Sequence, residues 1–92
     1  MDTTRRKAIL LVEDEALIAL AEKSALTRLG YSVETALTGE AAVARVRERD
    51  DFDLILMDID LGRGMDGTQA AELILKTRDI PILFLSSHTA PE

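Results

Sequence analysis

The stretch Leu54-Ile55-Leu56-Met57-Asp58-Ile59-Asp60 decides the fold. Its four apolar residues run without polar alternation, which fits a strand buried on both faces, as in a parallel sheet. Two similar runs flank it, Ile9-Leu10-Leu11-Val12 before and Ile80-Pro81-Ile82-Leu83-Phe84-Leu85 after. A weaker segment, Tyr31 to Ala36, alternates and is expected at a sheet edge. Helical patterns fill the gaps. From Ala16 to Leu29, Leu17, Ala21, Ala25 and Leu29 share one stripe with Ile18 and Leu26 beside it, and Gly30 supplies a left-handed stop. Thr38 is suited to cap a second helix, Glu40 to about Glu48, with Ala42, Val43 and Val46 as its apolar face. A third helix starts near Thr68, carries Ala70, Ala71, Ile74 and Leu75, and must end before Pro81. The order β-α-β-α-β-α-β predicts an α/β fold, a doubly wound parallel sheet with helices on both faces.

Ninety-two residues suffice for one small domain, and 47% hydrophobic residues with only 3% aromatics predict an aliphatic core. With no cysteine, a disulfide scaffold, a thiolate zinc site and a cysteine nucleophile are excluded. A net charge of -6 argues against direct nucleic-acid binding, because an acidic surface repels phosphate backbones. Arg5, Arg6 and Lys7 precede an apolar run, Ala8 to Val12, that is too short for a signal-peptide core. No run reaches the length of a membrane span, so the expected setting is cytoplasmic. Met1 to Arg6 are expected to fray.

Two of the strands end in acid: Val12 is followed by Glu13-Asp14-Glu15, and Met57 by Asp58-Ile59-Asp60. In an open parallel sheet, ligands bind beyond the carboxyl ends of the strands where strand order reverses. If these strands are neighbours there, Glu13, Asp14 and Asp58 converge. Two carboxylates ~5 Å apart at an effective dielectric of ~20 repel by ~3 kcal/mol. Either one stays protonated or a cation neutralises the cluster. Carboxylate oxygens suit Mg²⁺ or Mn²⁺, beside which a carboxylate can act as a nucleophile toward phosphorus. The blander alternative is that Asp14 and Glu15 merely favour a helix N-terminus, which leaves Asp58 unexplained. A hydroxyl, Ser86 or Ser87, follows the last strand. His88 reads as a solvated loop residue rather than a base.

Leu10-Leu11-Val12-Glu13-Asp14-Glu15, Leu56-Met57-Asp58, Met65-Asp66-Gly67 and Pro81-Ile82-Leu83-Phe84-Leu85-Ser86 together resemble the successive signatures of response-regulator receiver domains. The resemblance covers nearly the whole chain and implies the flavodoxin-like sheet, in strand order 2-1-3-4 for the strands present. It implies Asp58 as the aspartate phosphorylated by a sensor histidine kinase or phosphotransfer protein, in a reaction that needs Mg²⁺ (or Mn²⁺). Asp14 matches the direct metal ligand, Glu13 its neighbour acting through water, and Asp60 the position whose backbone carbonyl is a ligand. Ser86 matches the switch hydroxyl that bonds the phosphoryl group, and Gly67 the glycine opening the third helix. Such domains signal rather than act as enzymes.

This chain departs from the family pattern in three ways. The loop Leu61-Gly62-Arg63-Gly64-Met65-Asp66 is one residue longer than the common form, and Gly62 stands where proline is frequent. A fifth strand with its lysine, and the last helices, are absent after Ser86, so residues 1–92 are expected to form one domain incomplete at its C-terminus. The Ile80 to Leu85 strand is then expected to pair with a second chain, as in a homodimer, or to come from a longer receiver. A receiver-like interaction module that is not phosphorylated is the alternative function. Asp58-Ile59-Asp60 also fits the Asp-x-Asp of haloacid dehalogenase-type phosphatases, but the residues that follow lack the lysine and acidic pair those enzymes use. No Walker A loop accompanies Leu54 to Asp58, which removes a nucleotide-hydrolysing reading.

Overall fold

The computed structural model describes residues 5–62 and 64–86. Within them run β1 (Ala8–Val12), α1 (Ala16–Arg28), β2 (Ser32–Ala36), α2 (Gly39–Glu48), β3 (Leu54–Asp58), α3 (Gly67–Leu75) and β4 (Ile82–Leu85). The strands form one parallel sheet in the order β2-β1-β3-β4. The expected fold class, strand order and edge position of β2 are therefore all observed. Ser87 and His88 lie outside the described residues.

Side chains alternate across the pleat, so register sorts the core into two faces. Leu10 is level with Ile55 and Val12 with Met57. These pack with Ala42, Val43 and Val46 of α2 and Ala70 and Ile74 of α3. Fully burying one such aliphatic side chain contributes roughly 1.5–3 kcal/mol. Ile9 and Leu11, level with Leu54 and Leu56, point to the opposite face, where α1 lies.

The helix ends follow from the chain itself. Thr38 Oγ1 accepts the Ala41 N–H at 3.0 Å and caps α2. Asp66 caps α3 in a reciprocal box, accepting the Gln69 N–H at 2.9 Å while Gln69 Oε1 accepts the Asp66 N–H at 3.0 Å. Gly30, at φ +102°, ends α1 as expected.

Two expectations are corrected. The stripe Leu17, Ala21, Ala25 and Leu29 does not face the sheet: Leu17 is 81% and Leu29 73% exposed. Ala19 is buried instead, with Ile18, Glu22 and Leu26 half-buried. The apolar residues of α1 encircle the helix, so periodicity left two faces nearly equal and docking on β1 and β2 chose between them. Nor are all three apolar strands buried on both faces. β1 is wholly buried, but Leu83 and Phe84 of β4 are exposed: Leu83, level with Leu56, lies on the α1 face and Phe84, level with Met57, on the face of α2 and α3, and neither helix layer packs extensively on β4.

Candidate functional site

Strand order reverses between β1 and β3, and this junction places the site. Val12 is level with Met57, so the next residues, Glu13 and Asp58, stand side by side at the carboxyl ends of the two strands. Both are buried, at 3% and 1% exposure, and Asp14 beside them is half-buried. One carboxylate oxygen from each of Glu13, Asp14 and Asp58 lies within 4.8 Å of the others. The convergence expected from the two acidic strand ends is thus present.

Main-chain donors orient two of the three. The Asp60 N–H donates to Asp58 Oδ1 at 3.1 Å, and the Glu15 N–H donates to Glu13 Oε2 at 3.1 Å. Glu15 is the N-cap residue of α1 but makes no side-chain cap bond. Asp60 itself is exposed, two residues beyond Asp58. Ser86 follows Leu85, which is level with Asp58 and accepts the Ile59 N–H at 3.0 Å. Ser86 therefore emerges, exposed, at the same end of the sheet.

Burial pushes the Glu13 carboxyl from 4.5 up to about 6, with the charges of Asp58, Glu22 and Asp14 adding to the rise and the Glu15 N–H opposing it. Glu22, on α1, was not anticipated as part of this environment; its only signal was being the one acid of α1, directly after the apolar run Ala16 to Ala21. The raised value makes metal-free stability depend on pH. Folding strengthens proton binding at Glu13, so its contribution is complete below pH 4.5 and is lost as pH rises through about 6. At 1.36 kcal/mol per unit the shift amounts to about 2 kcal/mol. Urea unfolding in chelator at pH 4.5 and pH 7 should show wild type losing about 2 kcal/mol more over this interval than Glu13→Gln. Parallel pH profiles for the two proteins would refute this account of Glu13.

The donor set fits a small hard cation. Three carboxylate oxygens are gathered across nearly the ~4 Å that separates opposite ligands of one octahedral ion. Asp14 Oδ1 is buried with no hydrogen-bond partner, an arrangement that costs energy unless a positive charge meets it.

A family model described as the response regulator receiver domain matches residues 9–92. Transcriptional regulatory protein AfsQ1 of Streptomyces coelicolor is 38% identical over 81 residues, covering 88% of this chain and 35% of that protein. The N-terminal domain of a response regulator/sensory box/GGDEF protein from Carboxydothermus hydrogenoformans superposes with a TM-score of 0.86 at 50% identity, covering 92% of this chain and 68% of that one. TrrA of Thermotoga maritima, solved in complex with Mg²⁺-BeF, superposes at 0.80 with 32% identity, covering 90% and 71%. TrrA is also solved in complex with the histidine kinase ThkA. The chain spans about a third or less of the length of curated relatives such as AfsQ1 and the gliding motility regulatory protein of Myxococcus xanthus, at 35% and 12%.

Proposed function

Because the chain belongs to the response regulator receiver domain family, we propose that it accepts a phosphoryl group on Asp58 from a histidine kinase and signals through the resulting change of charge. The observation that carries this reading is a carboxylate only 1% exposed at the reversal point of the sheet, gathered with two other acids. That arrangement is costly for structure alone and suited to holding a cation beside a nucleophilic carboxylate.

Glu13, Asp14 and Asp58 would hold Mg²⁺ or Mn²⁺, together with the Asp60 carbonyl. When bound, the ion would offset charge on the phosphoryl oxygens and on the carboxylates. An oxygen of Asp58 attacks phosphorus; the P–N bond to the donor imidazole breaks, and the imidazole leaves with that electron pair. The Asp60 N–H holds Asp58 Oδ1 and so fixes the carboxylate plane during the attack. Ser86, at the end of the neighbouring strand, takes the role of hydroxyl partner to the new phosphoryl group. Residues 1–92 are read as a single receiver domain. No described helix is long and apolar enough to cross a membrane.

Intact-mass measurement with acetyl phosphate tests this reading. Wild type in millimolar Mg²⁺ should gain one phosphoryl group and in chelator none. Asp14→Asn should react at least about tenfold more slowly and lose the rise in Tm that Mg²⁺ gives the wild type. An unmodified wild type would favour the interaction-module reading instead.

A further inference from the structure

The segment leaving Asp58 returns past the acidic site before α3 begins, and a residue from a distant helix pins it. Glu40 lies in the first turn of α2. Its Oε2 accepts the Met65 N–H at 3.1 Å, across 25 positions of sequence. Gly64, at φ +81°, packs so closely on this carboxylate that a Cβ there would stand 2.9 Å from Glu40 Oε2. A Cβ at the neighbouring Gly39 would stand 3.1 Å from the Met65 carbonyl oxygen. The start of α2 and the Gly64–Met65 backbone are therefore in close contact. Two residues earlier, Gly62 turns through φ +73° beside the site itself, where a Cβ would stand 3.1 Å from Asp14 Oδ2. Gly62 thus lies against the carboxylate that carries the orphaned oxygen. Left-handed residues at both 62 and 64 are inexpensive for glycine.

We infer that Glu40 is a positioning residue of the acidic site: by accepting the Met65 N–H it keeps Gly62 against Asp14, and so sets the affinity of the site for a divalent cation. This rests on the proposal that Glu13, Asp14 and Asp58 take such an ion. Glu40 would act through the Met65 backbone rather than as a ligand. The competing account is that Glu40 merely favours the N-terminus of α2 as a first-turn acid. That role would alter Tm and leave cation affinity unchanged.

Mg²⁺ titration calorimetry on the whole chain, each variant held well below its own Tm, separates the accounts. Glu40→Ala should raise the Mg²⁺ Kd by roughly threefold to tenfold, the loss expected for one charge-assisted bond that orients a site. Glu40→Gln, which still offers an oxygen to Met65, should stay within about twofold of wild type. Gly64→Ala should imitate Glu40→Ala by displacing the carboxylate, and the double variant should be no weaker than the worse single one. Should Glu40→Ala fail to fold, Glu40→Asp, one methylene shorter, reads the same latch. An unchanged Kd in Glu40→Ala with a lowered Tm overturns the inference in favour of the helix-end role. Equal loss in Glu40→Gln overturns it in favour of bare charge attraction. Either result leaves the metal site standing if Asp14→Asn abolishes binding, whereas a wild type that binds no Mg²⁺ overturns both readings.

Discussion

Asp58→Asn is expected to abolish phosphoryl uptake and, in the same protein, to raise the stability of the metal-free fold. The substitution is isosteric, and the asparagine oxygen can keep the Asp60 N–H bond now made to Asp58 Oδ1. What disappears is a negative charge buried to 1% exposure, with Glu13 and Asp14 oxygens within 4.8 Å. The neutral amide is too weak a nucleophile to attack phosphorus, so the acceptor at this position is lost. Meanwhile repulsion of up to ~3 kcal/mol per close pair is relieved, and the amide N–H₂ becomes a donor to the remaining carboxylates. Part of that repulsion is already avoided by proton uptake at Glu13, whose carboxyl stands at about 6, so a net gain of about 1 kcal/mol is expected. In a domain of this size that corresponds to a Tm rise of about 4–8 °C. Melts in chelator and intact-mass analysis after acetyl phosphate treatment check both halves. A modified Asp58→Asn would move the acceptor elsewhere, and a lowered Tm would show that Asp58 is held by partners rather than strained by neighbours.

Gly67→Ala should be the most damaging single-methyl change in the chain. At an ordinary first-turn position, alanine for glycine would favour a helix by up to ~1 kcal/mol. Here a Cβ would stand 2.2 Å from the Asp58 carbonyl oxygen, 2.9 Å from Ile59 Cα and 3.1 Å from the Asp58 carbonyl carbon. All three are backbone atoms and cannot rotate away. Gly67 also donates its N–H to the Ile59 carbonyl at 3.0 Å, so α3 is drawn onto the very residues the methyl would push apart. The expected cost is about 3 kcal/mol, from overpacking that no rotamer change relieves. Because the displaced atoms belong to Asp58, Mg²⁺ binding should weaken as well. Urea unfolding and Mg²⁺ titration measure the two effects. Stabilisation, as helix propensity alone predicts, would show that α3 can shift away from β3 without loss.

Local pattern carried much of this molecule. The apolar runs Ile9–Val12 and Leu54–Met57, the Thr38 cap and the Ala42, Val43 and Val46 face are all found where they were expected. So are the acids at the carboxyl ends of β1 and β3. Each is encoded by residues a few positions apart, at the period of a strand or of a helix turn, and the crossover rules for parallel sheets then leave little choice of topology. The convergence of Glu13, Asp14 and Asp58 was legible on one condition, that β1 and β3 are neighbours, and the family resemblance implied that strand order.

Tertiary structure decided everything that depends on how one element sits on another. It turned Leu17 and Leu29 outward and Ala19 inward, because the apolar residues of α1 surround the helix and only its docking on β1 and β2 separates the faces. It left Leu83 and Phe84 exposed, one on each face, because the reach of the helices across the sheet is not written in β4. It brought Glu22 into the field of Glu13 and Glu40 onto the Met65 N–H. Those two acids lie nine positions from Glu13 and 25 from Met65, separations at which no local period operates. The sequence by itself therefore determined which elements form and which strands end in acid. The fold alone determined which side chains tune and hold that meeting point, since burial and long-range contact exist only after the elements have packed.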